Sequence, residues 1–144
     1  MIREFERKDM AVYKNMCKEF YSSDAVLKNI PEENIDAFIS EVLSSDAYTK
    51  CYLLEHFGEI AGYAVTAKTF SQEAGGMVLW IEEAYVRPEY RGKGLGKEFF
   101  DYILKTPMIK RFRLEVEDEN VRARKLYSSL GFDKLEYGQM YLEK

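Results

Sequence analysis

Arg91-Gly92-Lys93-Gly94-Leu95-Gly96 is the run on which the reading of this chain turns. Before it, Val78-Leu79-Trp80-Ile81 and Ala84-Tyr85-Val86 are rich in β-branched and aromatic residues and predict a strand that Pro88 stops. After it, Leu95, Phe99, Tyr102 and Ile103 recur at helical spacing. The three glycines therefore fall at a strand-to-helix turn. A helix begins with unpaired backbone N–H groups and a partial positive charge, and glycine lets a ligand approach the backbone closely. Together these features make an anion site suited to phosphate.

The spacing excludes the two common nucleotide loops. A Walker loop needs four residues between its first glycine and Gly-Lys, then Ser or Thr, but Gly96-Lys97 is followed by Glu98 and Gly92 stands too close. A dinucleotide fingerprint fails because its third glycine would fall on Lys97 or Phe99. What remains is Arg-x-x-Gly-x-Gly after a strand that carries the acidic pair Glu82-Glu83. A second run, Leu114 to Phe132, reads as a strand, an acidic cap region, and a helix with Ala123, Leu126, Tyr127 and Leu130 on one face, closed by Gly131. On these two runs the chain resembles the Gcn5-related N-acetyltransferase (GNAT) superfamily. The first pattern is similar to that family's pyrophosphate loop for acetyl-coenzyme A. The second, Asn-x-x-Ala-x-x-Leu-Tyr-x-x-x-Gly-Phe, is its other cofactor motif, filled here by Asn120, Ala123, Leu126, Tyr127, Gly131 and Phe132.

Composition narrows the class without choosing a function. The 144 residues suit a single domain spanning 1–144, with a hydrophobic share of 47% and a charged share of 32% that are ordinary for a globular protein. With 21 basic and 25 acidic residues the net charge is −4, which carries no footprint for nucleic acid. No apolar run reaches the length of a membrane span, and Met1-Ile2-Arg3-Glu4-Phe5-Glu6 lacks a signal pattern, so a cytoplasmic setting is expected. Cys17 and Cys51 are too few for a metal framework, and no metal is expected. Cys17 sits at helical spacing with Met10, Tyr13 and Phe20, as a core thiol would, and nothing local pairs it with His56.

Along the rest of the chain, Ile2 to Glu6 predicts a strand leading to a helix that Asp9 can cap. A second helix opens at Pro31, with Glu32 and Glu33 in its first turn, and buries Ile35, Phe38, Ile39 and Val42. Tyr21, Ser22, Ser23 and Asp24 fall in the linker between them. A hairpin turning near Gly58-Glu59 and a second turn at Ala74-Gly75-Gly76 lead into the strand before the glycine loop. The order is strand, two helices, three strands, helix, strand, helix, closing strands. It gives an α/β (α+β) domain whose mixed sheet carries helices on its faces. The resemblance makes this sheet mostly antiparallel, of six to seven strands with four helices, strands 4 and 5 splaying apart.

The resemblance also implies acetyl-CoA as co-substrate and an amine as acceptor. A primary ammonium holds its proton up to a pKa of about 10.4, so a carboxylate must help remove it before attack. Glu82 is the first choice for that base and Glu83 the second, with the other anchoring a cationic substrate. The tetrahedral oxyanion needs a backbone N–H from Val86 or its neighbour, and the backbone of Ala84, Tyr85 and Val86 would pair with the pantetheine arm. The pyrophosphate would lie on Arg91, Gly92, Lys93, Gly94, Leu95, Gly96 and Lys97, Asn120 belongs to the second cofactor motif, and Tyr127 would protonate the departing thiolate. Lys93, Lys97, Arg124 and Lys125 are within range of the phosphates or are ordinary helix-surface charges. The expected acceptor is a small cationic amine, since two adjacent carboxylates attract a cation. A protein N-terminus or lysine, or a non-catalytic acyl-CoA sensor, are the alternatives, and a homodimer stays open.

Overall fold

The computed structural model describes residues 1–23 and 29–144. Its strands are β1 (Ile2–Glu4), β2 (Thr49–His56), β3 (Glu59–Ser71), β4 (Gly76–Val86) and β5 (Ile109–Leu114). Its α-helices are α1 (Met10–Tyr21), α2 (Glu32–Ser44), α3 (Leu95–Ile103) and α4 (Val121–Ser129). The sheet order follows the chain, β1-β2-β3-β4-β5, antiparallel except for the parallel pair β4–β5.

Strand alternation sends neighbouring residues to opposite faces, and each face receives its own helices. Cys51, Leu53, Tyr63 and Val65 pack with Tyr13, Met16 and Cys17 of α1 and with Ile35 and Ile39 of α2. Tyr52, Leu54, Ala64, Leu79 and Ile81 pack on the other face with Leu95, Phe99, Phe100 and Ile103 of α3, and Leu126, Tyr127 and Leu130 of α4 close over that cluster. Burying each large apolar side chain contributes about 1.5–3 kcal/mol, which is why the helix periodicity read so well from sequence. The β2–β3 reversal uses Phe57 and Gly58, both at positive φ, as a two-residue hairpin turn requires. Asp9 does not cap α1. Its carboxylate accepts the Glu6 N–H at 2.8 Å and two nitrogens of Arg3 at 2.8 and 2.9 Å, which ties β1 to the turn before α1.

Two irregularities of β4 shape the region of interest. Val65 pairs with Glu83 and Thr66 with Ile81, so Glu82 is an extra residue that bulges out of the ladder. The bulge resets the alternation: Ile81 faces the α3 side, while Tyr85 belongs to the α1–α2 core. At the other edge, β4–β5 pairing ends at Ile81↔Leu114 while β4 continues to Val86, so its last five residues have an open edge.

The sheet has five strands, not the six to seven expected, among the described residues. A strand needs a partner ladder to satisfy its backbone, and residues 133–144, exposed throughout, form no strand with the described residues. The expected closing strands are therefore absent from the sheet as it stands here.

Candidate functional site

The glycine run folds as a turn into α3. Gly94 is the N-cap at φ +82°, a left-handed conformation, and no side chain caps the helix there. A Cβ at Gly94 would meet nothing within 4 Å, so the space in front of it is empty of protein. Among the described residues no acceptor takes the amides of Gly92 through Lys97, and the first N–H to be paired is that of Glu98, on the Gly94 carbonyl. Lone amides at a helix start, fronted by open space, fit an anion such as a pyrophosphate.

Contacts at Gly92–Arg122, Gly96–Leu126 and Phe100–Tyr127 advance in step along α3 and α4. The two helices thus run side by side with both N-termini at the loop. Arg122, which sequence reading passed over, has a guanidinium nitrogen 3.8 Å from where a Gly92 Cβ would stand. No spacing rule singles it out among helix-surface arginines. The other cations are more committed: Lys97 pairs with Asp101 at 2.6 Å, Arg124 donates to the Asp118 carbonyl, and Lys93 lies over the Tyr90 ring. Arg91 donates through Nε to the Val86 carbonyl at 3.0 Å, bracing the loop against the end of β4. Asn120 caps α4, its side-chain oxygen accepting the Ala123 N–H at 3.2 Å.

Backbone direction on β4 follows from two bonds. The Arg87 N–H points to the Ala61 carbonyl on β3, so alternation turns the N–H and C=O of Val86 the other way, to the open edge. The Arg91 bond to the Val86 carbonyl agrees. A donor for an oxyanion at this edge is therefore Val86 rather than Tyr85.

The acidic pair divides sharply. Both oxygens of Glu83 are taken, Oε2 by the Tyr63 hydroxyl at 2.8 Å and Oε1 by the Tyr21 hydroxyl. Burial, and then the charge and hydrogen bond of Glu83, push both phenols above the ordinary tyrosine value, so they stay protonated as donors. Tyr21 is the last residue of α1, not a linker residue, and Asp24 lies outside the described residues. Glu82, at the bulge, is exposed and has no hydrogen-bond or ion-pair partner among the described residues. Its carboxyl is raised above the usual carboxylate range, first by desolvation, then by Glu115 and Glu83.

Glu83 lines a cavity of about 120 Å³ with Tyr13, Cys17, Tyr21, Asn34 and Phe38. A larger open groove of about 520 Å³, between the N-terminus and α3, holds none of the residues predicted from sequence. Tyr127 sits on the opposite face of the sheet from Glu83, its ring packed on Phe100 and Phe132 at 5.4 and 6.0 Å. Desolvation raises its pKa, which keeps its proton in place. Its hydroxyl has no partner among the described residues. The sheet thus separates Tyr127 on α4 from the Glu83 carboxylate over α1, except where β5 ends and β4 runs on alone. Cys17 is buried with its thiol pushed up to about 11 by burial, as expected of a core cysteine. Among the described residues no cluster of three or more His, Cys, Asp or Glu side chains suits a metal, and no helix is long and apolar enough to cross a membrane.

A mixed sheet with paired helices on each face, a strand edge left open and an uncapped glycine turn beside it offer one ligand an anion cradle next to a free backbone edge, and the comparisons supply the class. Residues 11–132 match the Acetyltransferase (GNAT) family, and the chain belongs to that family. The 5-NmdU N-acetyltransferase of Pseudomonas phage PaMx11 is 36% identical over 100 residues, 66% of this chain and 68% of the phage protein. The thialysine N-epsilon-acetyltransferase of Bos taurus is 34% identical over 79 residues, 53% of this chain, and the match spans only 46% of that enzyme. The spermine/spermidine N(1)-acetyltransferase of Bacillus subtilis (strain 168) is 25% identical over 91 residues, 59% of this chain and 60% of that enzyme. Among solved structures, a possible acetyltransferase from Clostridium difficile 630 superposes with a TM-score of 0.82 at 25% identity, covering 100% of this chain and 97% of the other.

Proposed function

We propose that this chain transfers an acetyl group from acetyl-CoA to a small cationic amine by direct attack in a ternary complex. The observation that carries the reading is the division of labour at the β4 bulge: Glu83 is fixed by two tyrosine hydroxyls, while its neighbour Glu82 is exposed, has no hydrogen-bond or ion-pair partner among the described residues, and is raised in pKa. A carboxylate with a raised pKa is the better proton acceptor near neutral pH. Glu82 takes the proton of the incoming ammonium, directly or through a water, and Glu83 holds the acceptor's cationic part.

Acetyl-CoA lies with its pyrophosphate on the amides from Gly92 to Lys97 and its pantetheine arm along the open backbone of Ala84 to Val86. The neutral amine attacks the thioester carbonyl. The Val86 N–H stabilises the oxyanion, the carbon–sulfur bond breaks, Tyr127 gives its proton to the coenzyme A thiolate, and the remaining extra proton of the attacking nitrogen leaves to water as the amide forms, from which Tyr127 is reprotonated. Acceptor and cofactor reach this point from opposite faces of the sheet, through the gap beyond Leu114. The relatives that acetylate thialysine and spermidine support an amine acceptor, and the small size of the cavity beside Glu83 favours a small one over a protein.

An acceptor panel tests the substrate class by thiol release from acetyl-CoA: polyamines, basic amino compounds, aminoglycosides, acidic amino acids and short peptides. Release with the cationic small amines is the expected result. Preference for an acidic amine or for peptides overturns it.

A further inference from the structure

We propose that Asn34 selects the form of the acceptor's anchored end: that end is an unmethylated ammonium, and Asn34 accepts the N–H that Glu83 does not. The inference rests on the reading above, in which Glu83 holds the acceptor's cationic part, and it adds the chemistry of that part. The cavity beside Glu83 measures about 120 Å³, well below the ~300–1,000 Å³ that encloses a drug-sized ligand, so it holds one small headgroup. Tyr13, Cys17, Phe38 and Val65 line it, and burial keeps the Tyr13 phenol and the Cys17 thiol protonated. The Glu83 carboxylate is then the one anion on the wall among the described residues.

A primary ammonium brings three N–H donors and no acceptor. A carboxylate oxygen accepts two hydrogen bonds, and each oxygen of Glu83 has taken one, from Tyr63 and from Tyr21. Two places therefore stay open on Glu83, and a third acceptor is wanted. Asn34, in the first turn of α2, lines the same cavity. Its backbone N–H is spent on the Pro31 carbonyl at 3.1 Å, while its side-chain amide makes no hydrogen bond among the described residues. Methylation of the ammonium removes the donors. A trimethylated end would leave the Asn34 oxygen and both places on Glu83 unfilled, and a site built on hydrogen bonds rejects an analogue that lacks them.

Chemical-shift titration of the full chain with butylammonium, and with its N,N,N-trimethyl analogue, tests this without turnover. Butylammonium should move the Asn34 side-chain amide signal and bind ~10-fold more tightly than the trimethylated cation. Asn34 is exposed, so its variants should fold. Asn34→Leu should lose the preference, and Asn34→Asp, which keeps an acceptor there, should retain it. Equal affinity of the two cations for the wild type, or a preference that survives in Asn34→Leu, overturns the proposal. The acceptor panel reads the function separately: the binding preference without acetylation of any amine upholds this inference and overturns the transfer, and acetylation of cationic amines without the preference does the reverse.

Discussion

The Tyr63 hydroxyl donates to Glu83 Oε2 at 2.8 Å across the β3–β4 pair, and with Tyr21 on the other oxygen it holds the carboxylate in one orientation. Tyr63 is fully buried, so Tyr63→Phe keeps the ring packing and removes one charge-assisted bond. The expected cost is about 1.5–3 kcal/mol of stability. The Michaelis constant for a cationic acceptor should rise while kcat changes little if, as proposed, Glu83 anchors the acceptor. Steady-state kinetics with a polyamine decide this, and a loss confined to kcat would reassign Glu83 to the chemistry.

Glu82→Gln should lower turnover by ~10²–10⁴-fold, the range for a lost general base. With Glu82 as the proposed base, the wild-type rate should fall on the acid side with a limb above the ordinary carboxylate pKa, since Glu82 must be ionised and its pKa is raised. The variant should lack that limb.

Stability carries the same sign information. A carboxyl whose folded pKa is raised contributes stability below its unfolded pKa and loses it as pH rises through the folded value. Glu82→Gln, neutral at every pH, should therefore melt above wild type at pH 8, with the gap closing in acid. Calorimetric scans at two pH values check it, and a lower melting temperature at pH 8 would show that Glu82 has an ionic role in the fold.

Tyr127→Phe removes a hydroxyl that no described residue bonds, so thermal stability and acetyl-CoA affinity should hold. Turnover should drop ~10²-fold. A variant with wild-type turnover would leave Tyr127 as packing for Phe100 and Phe132.

Gly94 and Gly96 separate ligand from fold. Gly94 has open space ahead and a left-handed backbone, which asparagine tolerates better than other side chains. Gly94→Asn should weaken acetyl-CoA binding ~10-fold or more while the protein stays folded. At Gly96 a Cβ would meet Leu126 at an ordinary 3.7 Å, so Gly96→Ala should gain up to ~1 kcal/mol of stability from helix propensity. Isothermal titration of both variants tests the contrast, and equal affinities would mean the turn only starts a helix.

What the sequence disclosed was local. Glycine spacing at 92, 94 and 96 and the α2 start at Pro31 are each written within a few residues, and each forms as read, whereas the α4 cap was read only as an acidic region and is made by Asn120. The bulge at Glu82 was not legible, because an extra residue on β4 exists only relative to its register on β3. The Tyr21 and Tyr63 bonds to Glu83 span 62 and 20 residues, and a tyrosine on a core strand carries no mark of its distant partner. The closing strands failed for a similar reason: residues 133–144 have strand-like composition, yet a strand is a property of a pair.

The central claim is acetyl transfer to a cationic amine, and its most direct test is product analysis by mass spectrometry. The full chain is incubated with acetyl-CoA and spermidine, and the released thiol is counted against the product. The account predicts N-acetylspermidine in equal amount to free coenzyme A, with both falling together in Glu82→Gln. Saturable acetyl-CoA binding with no acetylated amine from spermidine or any other cationic acceptor would contradict it and leave a binding module.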